Sequence, residues 1–169
     1  GPLEKPTVVK SDGARAMARG LYRRSSRWIS PKKSLPRQQR RFSKLALVGI
    51  GGVGGNIAHL AAMQNMADEI MLIDIVPGLA AATAMDLNHS SGITGVPARC
   101  FGSENLADVT GADVIVVTAG VARRPGMSRI DLIDINKRVI HSTAEVIRAR
   151  APEAVVIVVT NPLDEMTLE

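Results

Sequence analysis

Leu45-Ala46-Leu47-Val48-Gly49-Ile50-Gly51-Gly52-Val53-Gly54 is the stretch on which the reading of this sequence turns. Leu45–Val48 is a short, wholly apolar run, as expected of a strand buried on both faces of a sheet. It enters a glycine cluster spaced G-x-G-x-x-G at Gly49, Gly51 and Gly54. Beyond the cluster, Ile57, Leu60, Ala61 and Gln64 recur at helical spacing, with Ala58, Ala62 and Met63 making the helix largely apolar. A second apolar strand, Glu69-Ile70-Met71-Leu72-Ile73-Asp74, ends in an aspartate 20 residues after Gly54.

Strand, glycine loop, helix and a distant acidic residue together carry more weight than the glycine spacing alone, because glycine clusters also mark ordinary turns. Each residue has its own physical reason. Gly49 permits a tight turn, Gly51 lets a pyrophosphate approach the backbone, and Gly54 lets helix and strand pack closely. The helix amino-terminus offers free N–H groups and a favourable dipole to phosphate. The loop Gly49, Ile50, Gly51, Gly52, Val53 and Gly54 is therefore a candidate cofactor cradle. Asp74 would accept hydrogen bonds from the adenosine ribose and repel a 2′-phosphate, which favours NAD over NADP. A glycine-rich crossover in an unrelated α/β protein, or a methyltransferase-like adenosine site, stays open on these residues alone.

Working outward, a helix from about Gly78 to Asn88 is expected, then a strand near residues 98–101. Asp113–Thr118 reads as a strongly apolar strand, Asp131–Arg150 as a long helix and Val155–Thr160 as the last strand. Pro152 disfavours helical geometry at the residue before it. Alternating strands and helices predict an α/β fold, a Rossmann-type doubly wound parallel sheet with right-handed crossovers. The usual strand order is 3-2-1-4-5-6. The sequence reads as this domain over 42–169, truncated before the last strand and a catalytic domain. Val155–Thr160 would then be an exposed edge that invites self-association.

Residues 1–41 differ sharply from the rest. They hold 12 Lys/Arg against Glu4 and Asp12, which leaves 9 basic and 14 acidic residues in 42–169 (21 less 12; 16 less 2). Few apolar residues interrupt this arm, so it reads as a disordered basic extension. A transit peptide, an arm for RNA or another anionic assembly, and non-native sequence all fit it. The lone cysteine, Cys100, excludes an internal disulfide framework and suits cytoplasm, or mitochondrial matrix if the arm is a transit peptide. No run of eighteen apolar residues suggests a membrane span. His59, His89 and His141 fall on expected helices, away from strand ends, and Cys100 reads as a small core residue; no metal site is expected.

Two further loops follow strands at the end where open parallel sheets bind ligands. One is Thr118-Ala119-Gly120-Val121-Ala122-Arg123-Arg124-Pro125-Gly126-Met127-Ser128-Arg129, followed by Asp131-Leu132 and Asn136; the other is Thr160-Asn161-Pro162-Leu163-Asp164. With Asp74-Ile75-Val76-Pro77-Gly78 and Met85-Asp86-Leu87, this ordered set resembles the lactate-dehydrogenase-like malate dehydrogenases over about residues 43–166. The resemblance implies an NAD-dependent oxidoreductase of the tricarboxylic acid cycle, interconverting malate and oxaloacetate by hydride transfer. It implies that Arg123 pairs with the second carboxylate of a small dicarboxylate substrate, and that Arg129 is a mobile-loop arginine polarising the substrate carbonyl. Asn136, Val159, Thr160 and Asn161 match cofactor-contacting positions, Asn161 touching substrate as well. Pro125 and Gly126 would let the loop bend and close.

The family's catalytic histidine, its aspartate partner and a further arginine find no match before Glu169. The chain alone is therefore expected not to turn over malate, while the complete protein would be a homo-oligomer. A lactate or other 2-hydroxy-acid dehydrogenase remains open, although Arg123 argues against lactate. A non-catalytic NAD-binding or RNA-associated module, tethered by the basic arm, is the reading from a different class.

Overall fold

The computed structural model describes residues 42–95, 99–122 and 125–168. Five parallel strands, β1 (Phe42–Val48), β2 (Ala67–Ile73), β3 (Cys100–Ser103), β4 (Val114–Val117) and β5 (Val155–Val158), lie in the order β3-β2-β1-β4-β5. Between them run α1 (Gly52–Met63), α2 (Leu79–Thr94), a short 3-10 turn at Leu106–Val109 and α3 (Arg129–Arg150), and α4 (Leu163–Leu168) follows β5. This is the doubly wound order expected from the alternation of elements. Its direction reverses between β1 and β4, and loops from those neighbours diverge to leave a crevice.

The period of two along β1 splits the core into two layers. Leu45 and Leu47 join α1 and α2 residues such as Ala58, Ala61, Ala84 and Leu87 on one face. Ala46 and Val48 face the other way, against Ile140 and Ile147 of α3 and Met166 of α4. On α1 the buried stripe is Gly54, Ala58, Ala61 and Ala62. Leu60, which helical spacing alone would place on an inward face, is 55% exposed. Small residues bring the helix backbone close to the sheet, so the large apolar groups Val53, Leu60 and Met63 point outward.

Two boundaries differ from expectation for identifiable reasons. Helix α2 runs past Asn88 to Thr94, and its Ser90, Ser91 and Thr94 hydroxyls are satisfied by donating back to carbonyls about one turn earlier. It ends at Gly95, whose φ of +68° closes it with a left-handed cap. Asn88 itself clamps β3, donating to the Cys100 carbonyl at 2.8 Å and accepting from the Cys100 amide at 2.9 Å. Helix α3 starts at Arg129, two residues early, because Ser128 and Asp131 form a reciprocal capping box. Among the described residues β5 pairs with β4 alone, and Val155 is 62% exposed, so the strand is an edge as anticipated.

Candidate functional site

The carboxyl ends of β2, β1, β4 and β5 bring four loops together, and the glycines of the first loop divide by what surrounds them. Gly49 has φ +94°, and a Cβ there would lie 2.6 Å from the Ala119 amide nitrogen. A Cβ on Gly54 would sit 1.9 Å from the Gly49 carbonyl oxygen. These two positions are closed by the protein's own backbone. Gly51 and Gly52 are open, with nothing within 4 Å of a Cβ built on either. Gly51 is the N-cap of α1 with no side-chain cap, and the first turn carries no acidic residue. The amides of Gly52, Val53 and Gly54 lie in the turn that has no intrahelical acceptors. An uncapped amino-terminus behind an open, side-chain-free surface fits a pyrophosphate.

Asp74 stands just beyond β2, where it does more than wait for a ribose. Its Oδ2 accepts from the Ile50 amide at 2.6 Å and its Oδ1 from the Val76 amide at 2.9 Å. It thereby ties the glycine loop to its own turn. An ionised carboxylate offers about four lone-pair directions, so two remain for ribose hydroxyls. Thr118, given no role from sequence, completes the brace by donating from Oγ1 to the Gly49 carbonyl at 2.8 Å. The available signal was a lone hydroxyl at the end of an apolar strand.

On the other side, Asn136 on α3 is 1% exposed. Its Oδ1 accepts from the Val121 amide at 2.8 Å, while Nδ2 donates to the carbonyls of Asn161 at 2.7 Å and Val121 at 3.3 Å. Both amide hydrogens are used within the protein, which gives Asn136 a positioning role in the loops around the crevice. Asn136 joins the loop after β4 to the loop after β5. Thr160 is also buried and donates to the Ala119 carbonyl at 2.7 Å, and the Val159 amide donates to the Val117 carbonyl at 2.8 Å. Asn161 is exposed at the crevice mouth.

Arg129, which the resemblance places on a mobile loop, is the first residue of α3, directly after the N-cap of the Ser128–Asp131 box. Its side chain is 70% exposed, and its guanidinium meets Glu165 of α4 at 2.9 Å. The Glu165 hydrogen bond raises the arginine's affinity for its proton, and the same contact holds Glu165 below the usual carboxylate range. The Ser128 hydroxyl and amide likewise hold Asp131 low. Arg123 lies outside the described residues, whereas Pro125 and Gly126 form an exposed turn with Gly126 at φ +84°. His59, His89 and His141 are exposed on helices, away from the crevice. Cys100 is buried, which pushes its thiol up to about 11 and leaves it unreactive.

A doubly wound sheet whose switch-point loops combine an open glycine turn, an uncapped helix start and an acidic residue ending β2 defines a dinucleotide-binding domain. Residues 43–169 match the model of the lactate/malate dehydrogenase NAD binding domain, and the chain belongs to that family. It is 45% identical over 127 residues to a malate dehydrogenase of Pelagibacter ubique, covering 75% of this chain and 40% of that protein. It is 50% identical over 123 residues to one of Roseobacter denitrificans, covering 73% and 38%. Among solved structures it resembles the malate dehydrogenase of Archaeoglobus fulgidus in complex with NADH, with TM-score 0.70 and 42% identity over 73% of this chain and 42% of that one. The chain thus spans about two fifths of the length of these relatives, and NAD is the cofactor its family binds.

Proposed function

We propose that this chain is the cofactor-binding part of an NAD-dependent malate dehydrogenase. The observation that carries the reading is the open cradle at Gly51 and Gly52, with Asp74 poised beside it. The α1 amides would hold the pyrophosphate, and Asp74 would orient the adenosine ribose through its remaining lone pairs. NAD, when bound, supplies a hydride acceptor for a secondary alcohol. Arg129 and Asn161, both exposed at the crevice, would meet the substrate there, Arg129 exchanging Glu165 for a substrate oxygen. Arg123 favours a dicarboxylate over lactate, since a guanidinium fork pairs bidentately with carboxylate.

The test has two parts. NADH fluorescence should rise on mixing with the chain, and a flat titration would sink the cofactor reading. Residues 42–169 grafted onto the catalytic remainder of a malate dehydrogenase should then reduce oxaloacetate at least about 10²-fold better than pyruvate. Arg123→Gln should erode that preference, removing a charge-assisted pair of about 1.5–3 kcal/mol. Equal use of both substrates would favour a 2-hydroxy-acid dehydrogenase of broader range. The outward Val53, Leu60 and Met63 support a homo-oligomer in the complete protein, to be checked by sedimentation. We propose residues 1–41 as a separate basic arm. RNA affinity that falls steeply with salt and vanishes on their removal would favour the binding-module reading.

A further inference from the structure

We infer that Glu104 is a second determinant of cofactor choice, acting with Asp74 to exclude a 2′-phosphorylated dinucleotide. Glu104 follows β3, the neighbour of β2 at the sheet's outer side. Its Oε1 accepts from the Gly78 amide at 2.9 Å. Asp74 accepts from the Val76 amide, two residues earlier in the same turn, and that turn is closed by the Leu79 amide donating to the Val76 carbonyl at 3.2 Å. The Asp74 amide in turn donates to the Ser103 carbonyl at 3.1 Å. Two carboxylates from different strands therefore brace one tight turn at the edge of the ribose site.

The local charge is one-sided. Residues 74–78 and 103–108 contain Asp74, Glu104 and Asp108 and no Lys or Arg. Asp108 is occupied by the Ser103 hydroxyl, whereas Glu104 is exposed apart from its one backbone donor. A 2′-phosphate carries about −1.5 to −2 charges at pH 7. Brought to Asp74, it would approach the turn that Glu104 also braces, and exposed charges interact over a Debye length of about 8 Å at physiological ionic strength. NADH, with free ribose hydroxyls, carries no such charge at that point and meets no equivalent penalty. A plain structural role for Glu104, capping the amino-terminus of α2 through Gly78, would affect both cofactors alike.

The deciding experiment titrates the 169-residue chain with NADH and with NADPH, following cofactor fluorescence, for the parent chain and Glu104→Gln. Glutamine keeps an acceptor oxygen for the Gly78 amide and removes the charge. NADH affinity should stay within about 1.5-fold, while NADPH affinity rises about 3-fold in low salt, with the gain fading at high salt. Glu104→Lys should extend the NADPH gain to about 10-fold. Equal changes for both cofactors, or no NADPH gain in either variant, would overturn the inference and leave Glu104 as a helix cap. Failure of the parent chain to bind NADH would overturn the cofactor site itself, and the inference with it.

Discussion

On the β1 side of the crevice the chain is shaped by residues that lack side chains; on the β4 and β5 side it is held by side chains that reach back to backbone. Gly49 and Gly54 let loop and helix touch at distances that no Cβ permits, leaving Gly51 and Gly52 facing open space. Across the crevice, Asn136 and Thr160 tie two loops together with four hydrogen bonds of 3.3 Å or less. The first bank is specified by absence and resists addition. The second is specified by particular polar groups and resists removal.

The sharpest way to break this contrast is to add atoms to the first bank. Gly54→Val should cost at least about 3 kcal/mol, at the upper end for overpacking, because its Cβ collides with backbone rather than with a movable side chain. Urea denaturation would read this directly, and a loss under about 1 kcal/mol would mean that α1 can move away from β1. Removal at the second bank comes next. Asn136→Ala should cost about 1–2 kcal/mol by leaving the half-buried Val121 amide and the Asn161 carbonyl without their side-chain partner. An unchanged midpoint would show that water replaces the amide there.

A third change separates function from fold within the first bank. Gly51 has φ −71° and ψ −163°, which any residue adopts, so Gly51→Val should alter stability by under about 1 kcal/mol. NADH affinity should nevertheless fall by at least about 10-fold, because the side chain fills the cradle; retained binding would put the phosphates elsewhere. The smallest effect is a pH response at the start of α3. Asp131 is held low by Ser128, so its stabilisation is present above the ordinary carboxylate pKa and is lost as pH falls through its depressed folded value. Amide exchange at residues 129–132 should quicken only below the usual carboxylate range, and no change down to pH 2 would remove the capping box from the account.

The two banks were also unequally legible. The glycine pattern, the apolar strands and the aspartate ending β2 are local signals, each imposed by one residue's backbone freedom or by a short period. They were enough to give the strand order, and they mark the glycine turn that the structure leaves open at Gly51 and Gly52. Asn136 reads in sequence as one polar residue within a helix, and nothing nearby says that its amide will be buried between two loops 15 and 25 residues away. Leu60 is a related case, since helical spacing marks an apolar helix without saying that alanines will take the sheet side.

By itself, then, the sequence determined the alternation of elements, the doubly wound sheet and the side-chain-free turn at its switch point. Those follow from hydrophobic period and from glycine's missing side chain, both of which act over a few residues. Tertiary structure alone decided that Asn136 is a strut, that Arg129 is moored to Glu165, and that Asp74 and Glu104 brace the same turn. Each depends on a polar atom meeting a partner from a distant segment. Hydrogen bonds require separations near 3 Å, which only the packed chain can set.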